Sequence, residues 1–339
     1  MMDQDVNDVI TTKNRTAMKY IGIDVSKATF VVAYSSDKGG EIRTFDNTTA
    51  GIRKFIGTLL KEGNIHCVME ATGNYSALLL YMLNVAGITV SMENPLKVKN
   101  FAKAMLSTVK TDKSDARLIA LYGEKMNPLP FKVQGEAILR LRQKRTVIRQ
   151  LTKQITAMSN LRGSLACLPV PDKGATHTVD ETIRFLEKKR DRLQSELTDL
   201  VEAEFSRQLA LLTTIKGIGI TLATALIITT GGFTYFHNAK QMSRYLGICP
   251  TYEQSGTSVN IRGHINRNGD AYTRGLLYVA AWTASRFNAQ CGETYTRLKQ
   301  NGKSGKLAMI AVANKLVRQA FAVVSHDKEY IDGFVSNKP

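Results

Sequence analysis

Residues 19–45 read KYIGIDVSKATFVVAYSSDKGGEIRTF, and this stretch decides the fold of the first third of the chain. It holds three runs rich in β-branched and aromatic residues, Tyr20 to Asp24, Thr29 to Tyr34 and Glu41 to Phe45, separated by short turns of Ser, Asp and Gly. Such runs with polar turns between them predict three consecutive antiparallel strands. Residues 1–18 precede the first strand, and we expect them to form a disordered extension.

After the third strand the hydrophobic period alternates between helix and strand. The predicted elements are, in order, Thr49 to Leu60, His66 to Glu70, Ser76 to Ala86, Ile88 to Met92 and Asp115 to Tyr122, beginning with a helix. Three strands followed by helix, strand, helix and strand is the order of the ribonuclease H-like fold. We therefore predict an α/β domain of this type over residues 19–128.

Four acidic residues of this domain, Asp24, Glu70, Asp112 and Asp115, are candidate metal ligands. Asp24 and Glu70 end the first and fourth predicted strands, and adjacent central strands bring both to one edge of the sheet. Asp112 and Asp115 are three residues apart, so a helix that carries both presents them on one side. Each acid alone is also typical of a turn or a solvated helix. Together they predict a site for one or two Mg²⁺ ions, or for Mn²⁺ instead, suited to phosphodiester cleavage.

The chain carries a large excess of positive charge. Its 339 residues include 46 Lys and Arg against 29 Asp and Glu, a formal net charge of +17. Residues 101–165 hold 13 basic against 4 acidic residues, and residues 240–320 hold 12 against 3. Surfaces of this kind bind polyanions, so we predict nucleic acid as the partner, with Lys110 and Lys113 contacting phosphate beside the acids.

Composition also argues against other classes of protein. The four cysteines are far apart and have no His at ligand spacing, which favours neither a zinc site nor a disulfide framework. The polar start lacks the apolar core of a signal peptide, and the longest apolar runs, such as Ala223 to Ile228, are too short to span a bilayer. We expect a soluble intracellular protein without a membrane partner.

Two long helices follow the α/β domain. Apolar residues recur three and four positions apart from Glu136 to Leu168 and from Val179 to Leu212, amid many charged side chains. An antiparallel coiled-coil arm within one chain and a dimerisation arm between chains fit this pattern equally well. We assign residues 129–210 to this connector.

The C-terminal part, residues 211–339, combines a glycine-containing turn with a basic loop. Lys216, Gly217 and Gly219 lie in a pattern typical of a helix-hairpin-helix, whose backbone N–H groups approach a phosphate, and also of a plain turn between helices. Ser255 follows in a polar loop, where Thr257 and Ser258 are competing hydroxyl groups. The basic residues that come next, Arg262, Arg267 and Arg274, are candidate nucleic-acid contacts.

From Lys19 onward the chain resembles the DEDD transposases of the insertion sequence 110 family, which include Piv-type DNA invertases. The matching blocks are Ile21-Gly22-Ile23-Asp24, Glu70-Ala71-Thr72-Gly73-Asn74-Tyr75, Asn94-Pro95, Lys110-Thr111-Asp112-Lys113-Ser114-Asp115-Ala116, Ile215-Lys216-Gly217-Ile218-Gly219, and Ser255-Gly256-Thr257-Ser258 with Gly263 to Arg274. Two departures are Lys216, where a Pro is usual, and Gln254, where some relatives have Glu.

The resemblance implies a RuvC-like domain, a coiled-coil connector and a mainly helical transposase domain. It also implies that Asp24, Glu70, Asp112 and Asp115 hold the metal and that Ser255 is the nucleophile of a covalent phosphoserine intermediate. The implied partners are donor and target double-stranded DNA, a noncoding bridge RNA that pairs with both, and further copies of the chain, from dimer to tetramer. In such an assembly the acids of one subunit meet the serine of another, at the bacterial nucleoid.

Three other functions stay open at this point. In a Holliday-junction resolvase-like nuclease, activated water attacks the phosphate and Ser255 only contacts it. A Piv-type invertase reads its DNA sites through the protein alone. A scaffold that binds nucleic acid without catalysis would tolerate the loss of Asp24.

Overall fold

The computed structural model describes residues 18–34, 40–61, 63–106, 111–131, 135–250, 253–255, 259–261, 264–266 and 269–333, with only the backbone given for 253–255 and 259–261. The extension expected over residues 1–18, apart from Met18, lies outside these ranges, as do Lys110, Arg262 and Arg267. The chain divides into two units, Met1–Val133 and Gln134–Pro339. The two helices predicted as a connector belong to the second unit.

The first unit is built on a five-stranded mixed sheet. Its strands are β1 (Lys19–Val25), β2 (Thr29–Tyr34), β3 (Ile42–Asp46), β4 (Ile65–Glu70) and β5 (Thr89–Glu93). They lie in the order β3-β2-β1-β4-β5. β2 is antiparallel to β1 and β3, whereas β4 is parallel to β1 and β5. This order and these directions are those of the ribonuclease H-like fold, so the predicted α/β architecture is confirmed.

Within the described part of this unit, four helices accompany the sheet: α1 (Thr49–Leu59), α2 (Ala77–Val85), α3 (Pro95–Ala104) and α4 (Asp112–Met126). The strand side chains alternate between two faces. Ile21 and Ile23 of β1 pack in a core with residues of α1 and α2. On the other face, Tyr20 packs with Ile119 and other residues of α4. By this alternation Gly22 and Asp24 belong to the face that α4 covers.

Glycine 22 sets the distance between α4 and the sheet. A Cβ at this position would lie 2.1 Å from the carbonyl oxygen of Ala116 and 2.2 Å from the amide nitrogen of Ala120. No side chain fits there, so the backbone of α4 rests directly on β1. Gly123 continues the close approach one turn later, since a Cβ there would lie 2.7 Å from the ring of Tyr20.

The second unit begins with two long antiparallel helices, α5 (Glu136–Ala166) and α6 (Lys173–Thr213), of which α6 is interrupted by non-helical backbone at Phe205. Ion pairs between them show the direction, because Lys144 contacts Glu196 at 2.5 Å and Arg162 contacts Asp180 at 2.8 Å. The sequence fitted an antiparallel coiled coil within one chain and a dimerisation arm between chains equally well. In the structure the two helices pair with each other within one chain. The first helix ends slightly earlier and the second begins earlier than predicted.

The rest of the second unit is mainly helical, as expected. It comprises α7 (Ile220–Thr230), α8 (Ala239–Tyr245), the short strands β6 (Glu253–Ser255) and β7 (Val259–Ile261), α9 (Ala271–Phe287), α10 (Ala289–Gln300) and α11 (Gly305–Ser325). By length and hydropathy alone, α11 could cross a bilayer, although Lys315, Arg318 and other polar residues interrupt its apolar sequence. Its buried residues, including Val312 and Leu316, lie in the core of the second unit, as in the central helix of a globular protein.

Candidate active site

Asp24 and Glu70 lie side by side at the carboxyl end of the central strands. Ile23 and Met69 are partners in the parallel pair of β1 and β4. The residues that follow them, Asp24 and Glu70, therefore share one end of the sheet and the same face, the face that α4 covers. The prediction that these two acids reach the same sheet edge is confirmed.

The other two acids lie in the first turn of α4. Thr111 caps the helix: its hydroxyl oxygen accepts a hydrogen bond from the Ser114 amide at 3.1 Å, and the Ser114 hydroxyl oxygen accepts one from the Thr111 amide at 2.8 Å. This capping box starts the helix at Asp112, so the helix expected to include Asp115 to Tyr122 also includes Asp112. One helix thus carries Asp112 and Asp115, as expected, at the end where the helix dipole favours carboxylates.

The other three acids act electrostatically on Asp24. Burial raises the pKa of Asp24, and repulsion from Asp112, Asp115 and Glu70 raises it further, to about 6, against a smaller opposing effect of the Val25 amide. An ionised Asp24 is therefore unfavourable beside three other acids. This is the electrostatic signature of a place that a cation would stabilise.

The donor set suits a hard divalent cation, because all four groups offer carboxylate oxygens. Within the described residues, however, no three acidic, His or Cys side chains converge into a ready-made metal group. A fifth acid, Glu93, is the register partner of Glu70 on β5. Its carboxylate is buried and accepts a hydrogen bond from Lys97 at 2.8 Å, so its charge is already paired within the protein.

The glycine-containing turn joins α6 to α7. Gly217 has a φ of 106°, and a Cβ there would lie 2.8 Å from the Cβ of Ala284, so packing against α9 explains this glycine. Gly219 caps α7 and has no atom within 4 Å of its Cβ position among the described residues. Lys216 pairs with Asp332 at 2.9 Å. The turn joins two helices and leaves open space beside the backbone of Gly219 among the described residues.

Ser255 is the last residue of β6 and is paired with Val259 of β7. The segment around it is tied at both ends, since Pro250 and Ile265 form a bridge and the Asn266 amide donates to the Cys249 carbonyl oxygen at 3.2 Å. This small hairpin was not predicted from the sequence.

Besides Lys216, Gly217 and Gly219, the predicted phosphate contacts Arg274 and Lys113 also lie in described regions. We call residues 249–268, which include Ser255, the serine segment. Arg274 donates from Nη1 to the carbonyl oxygen of Gly269, the residue that directly follows this segment. Lys113 is exposed in the first turn of α4, between Asp112 and Ser114.

The sequence matches models of two known protein-family domains, and these matches identify the family of the chain. A model of DEDD transposases of the IS110 type matches residues 21–166, and a model described as the transposase IS116/IS110/IS902 family matches residues 209–297. The chain belongs to the IS110 family of transposases. As a member of this family it is an enzyme of DNA recombination, and its DNA-acting role fits its positive charge.

Relatives of this IS110-family protein extend over almost its whole length. The pilin gene-inverting protein of Moraxella bovis is 28% identical over 92% of this chain and 97% of its own, and that of Moraxella lacunata is 29% identical over 92% and 97%. The transposase for insertion sequence element IS1111A of Coxiella burnetii is 24% identical over 95% of this chain and 94% of its own. A solved structure of Thermus thermophilus RuvC aligns with 34% of this chain and 100% of its own, at 13% identity and a TM-score of 0.26.

The residues that bring α4 close to β1 in this IS110-family protein were not predicted from the sequence. Gly22, with Ala116 and Ala120 opposite, lets α4 carry its acids close to β1. The available signal was a glycine in the interior of a strand, which often marks a close backbone approach. In the second unit, Gly269 lies in a bend and also allows a close backbone approach, since a Cβ there would lie 2.3 Å from the carbonyl oxygen of Tyr245.

Proposed function

We propose that this protein cleaves and rejoins DNA strands through a covalent phosphoserine formed at Ser255, with the acids Asp24, Glu70, Asp112 and Asp115 as a metal-binding tetrad. The observation that carries the proposal is the coupling of Asp24 to the three other acids in a chain of net charge +17. Carboxylates that repel one another, in a protein that acts on a polyanion, need a cation to approach phosphate.

The tetrad would hold Mg²⁺, in one or two sites, with Mn²⁺ as a substitute. When bound, such an ion stabilises negative charge that develops on phosphate oxygens. The residues themselves contribute the carboxylate oxygens and their placement, which the capped start of α4 and the contact of its backbone with Gly22 fix relative to β1.

Ser255 supplies the nucleophile. Its Oγ forms a bond to phosphorus while a sugar oxygen leaves, which gives a phosphoserine ester and a free sugar hydroxyl that takes up the proton. Attack by the hydroxyl of another strand end reverses these steps and rejoins the DNA, so the energy of the phosphodiester is conserved. The tied ends of the serine segment support this role because they limit the positions that Ser255 can occupy.

The proposed partners are donor and target double-stranded DNA and a bridge RNA that pairs with both. Base pairing would read the sequence while the protein grips backbones, which suits its broadly distributed basic residues. The proposed contacts with the nucleic-acid backbone are Lys110, Lys113, Lys216, Arg262, Arg267, Arg274 and the backbone at Gly217 and Gly219. We further propose a homo-oligomer, from dimer to tetramer, acting in the bacterial cytoplasm at the nucleoid.

The test is the capture of covalent protein–DNA complexes by denaturing gel electrophoresis. With wild-type protein and DNA that carries its site, we expect a complex that protease digestion removes. Ser255→Ala should abolish this complex because the attacking oxygen is gone, whereas the matched variant Ser258→Ala should retain it. Cleavage without any covalent complex would instead establish a resolvase-like nuclease in which water attacks.

Inversion is a second candidate for the biological outcome. The pilin gene-inverting relatives cover 92% of this chain at 28–29% identity, which supports a reaction between two sites in one DNA molecule. A plasmid with two sites in inverted orientation distinguishes the outcomes, since an invertase reverses the intervening segment and a transposase joins donor to target.

A further inference from the structure

A basic cavity of about 330 Å³ opens in the second unit beside the serine segment. Helices α5, α7, α8 and the start of α9 form its walls, and the residues that line it include Arg142, Arg145, Thr229, Tyr245, Gly269 and Asp270. Arg149 lies one helical turn beyond Arg145 on α5 and shares its partner Asp270. We call the cavity together with Arg149 the arginine pocket.

The backbone of α7 holds two of its guanidinium groups in place. Arg142 donates to the carbonyl oxygens of Ile228 and Thr229 at 3.3 and 3.4 Å. Arg145 donates to the hydroxyl of Thr229 at 2.8 Å. These acceptors lie at the C-terminal end of a helix, where carbonyl groups lack intrahelical partners. The arginines are thus oriented by neutral groups that leave their charge in place.

One carboxylate offsets part of this charge. Asp270 contacts Arg149 at 3.2 Å and Arg145 at 3.6 Å. It also caps α9, accepting a hydrogen bond from the Thr273 hydroxyl at 2.8 Å. Among the described residues that form the arginine pocket, three guanidinium groups stand against this one carboxylate, so the pocket is positive. Burial lowers the pKa of Arg145 despite its closeness to Asp270, because positive charge is costly there without a further anion.

Hydrogen-bond donors and partly exposed aromatic rings adjoin the cavity. Within the described residues, the hydrogen bond of Arg149 uses Nη1 alone, which leaves Nε and Nη2 to bind an anion. The guanidinium also lies 5.4 Å from the ring centre of Tyr272. Tyr272 and Tyr245 are 39% and 46% exposed. Cations interleaved with exposed aromatic rings are typical of sites that bind the backbone and stack the bases of a nucleic-acid strand.

The arginine pocket is joined to the serine segment by Gly269 and Asp270, which line the pocket and directly follow the segment. The α8 side is equally close, since Asn266 donates to the Arg244 carbonyl oxygen at 3.4 Å and no side chain fits between Gly269 and Tyr245. A ligand in the pocket would therefore sit at the base of the hairpin that carries Ser255.

We propose that the arginine pocket binds a phosphodiester of a nucleic-acid strand, with the neighbouring nucleotide against Tyr245, and thereby anchors that strand beside Ser255. The placement beside Ser255 rests on the proposed function, whereas the binding itself does not. The ligand chemistry is shared by DNA and RNA, and the two sources are separated by experiment.

The test compares Arg149→Gln with Arg140→Gln, which removes the same charge from an exposed site on α5 where Arg140 pairs with Glu136 at 3.2 Å. Fluorescence anisotropy measures the affinity of the full-length protein for duplex DNA, single-stranded DNA and RNA of one sequence over a range of salt concentrations. For the strand that occupies the pocket, Arg149→Gln should weaken binding about 10-fold and reduce the slope of log affinity against log salt by about 1. Arg140→Gln should change the affinity less than about twofold.

Two further variants guard against a folding defect. Arg149→Lys keeps the charge and should recover the salt slope, and Tyr245→Ala removes only an exposed ring and should weaken binding of single strands more than of duplex. A loss confined to the DNA probes assigns the pocket to DNA, and a loss confined to RNA assigns it to RNA. Equal effects of Arg149→Gln and Arg140→Gln on all three probes would overturn the proposal. Absence of a covalent complex in wild-type protein would overturn the proposed function and leave this binding comparison intact.

Discussion

At the scale of single residues, Asp24 is the group on which the other acids of the candidate active site act. Its side chain is partly buried on the α4 face of the sheet, and burial together with Asp112, Asp115 and Glu70 raises its pKa to about 6. The folded state thus holds a proton on Asp24 more tightly than the unfolded chain does. The stability this confers is present below pH 3.8 and is lost as the pH rises through about 6.

We expect Asp24→Asn to stabilise the metal-free protein at neutral pH, because it removes the charge but keeps the shape. The gain should be about 2 kcal/mol above pH 7 and should vanish below pH 4. Urea unfolding in EDTA at several pH values measures it. Addition of Mg²⁺ should raise the stability of the wild type more than that of the variant, since the variant has lost a ligand. An equal response of both proteins to Mg²⁺ would remove Asp24 from the metal site.

At the scale of elements, the first unit was the most predictable part. Strand β2 was predicted with its observed bounds, and β1, β3, β4 and β5 within one residue at each end, because alternating apolar residues between polar turns leave few alternatives. Helix α3 was missed. It has a single buried residue, Val98, and depends on its cap, the Asn94 side chain that accepts a hydrogen bond from the Leu96 amide at 2.8 Å.

The joining of elements into a site was only half predictable. The sheet edge shared by Asp24 and Glu70 follows from strand order, which the sequence pattern provides. The position of α4 does not follow from strand order. It is set by the distance between this helix and the sheet, which depends on the absence of a side chain at Gly22. The hairpin of β6 and β7 also escaped, since three-residue strands show no measurable period.

Gly22→Ala tests the contact between α4 and β1. The added methyl group would meet the backbone at Ala116 and Ala120 at about 2 Å, so the helix must move. We expect a loss of stability of about 3 kcal/mol, and weaker Mg²⁺ binding because Asp112 and Asp115 move with α4. Urea unfolding and Mg²⁺-induced stabilisation measure the two effects.

The matched control for this change is Gly57→Ala. Gly57 is an exposed interior residue of α1 with no atom within 4 Å of its Cβ position among the described residues. Alanine should stabilise that helix by about 0.5 to 1 kcal/mol. If Gly22→Ala were as stable as this control and bound Mg²⁺ normally, the close approach would not position the acids.

At the scale of the whole molecule, the proposed catalytic groups divide between the two units. The tetrad lies in Met1–Val133 and Ser255 in Gln134–Pro339. The acids could be proposed from fold order and ligand chemistry alone. The serine could not, because a polar loop has neither a period nor a buried face to single out one hydroxyl. The assignment of Ser255 came from the resemblance of the surrounding sequence to the family. The two family models match the two parts of the chain separately, over residues 21–166 and over residues 209–297, and the second match includes Ser255.

The proposed homo-oligomer can be tested by mixing two inactive proteins. Asp24→Ala lacks an intact tetrad and Ser255→Ala lacks the nucleophile, so each alone should form no covalent complex with DNA. If the acids of one subunit serve the serine of another, about one quarter of the composite sites in a randomly mixed symmetric oligomer carry both intact groups. Co-expression of the two variants should then restore a corresponding fraction of the covalent complex, all of it on the Asp24→Ala chain, which a size tag on that chain reveals. If each subunit completes its own site, co-expression restores nothing, because every chain lacks one of the groups it needs.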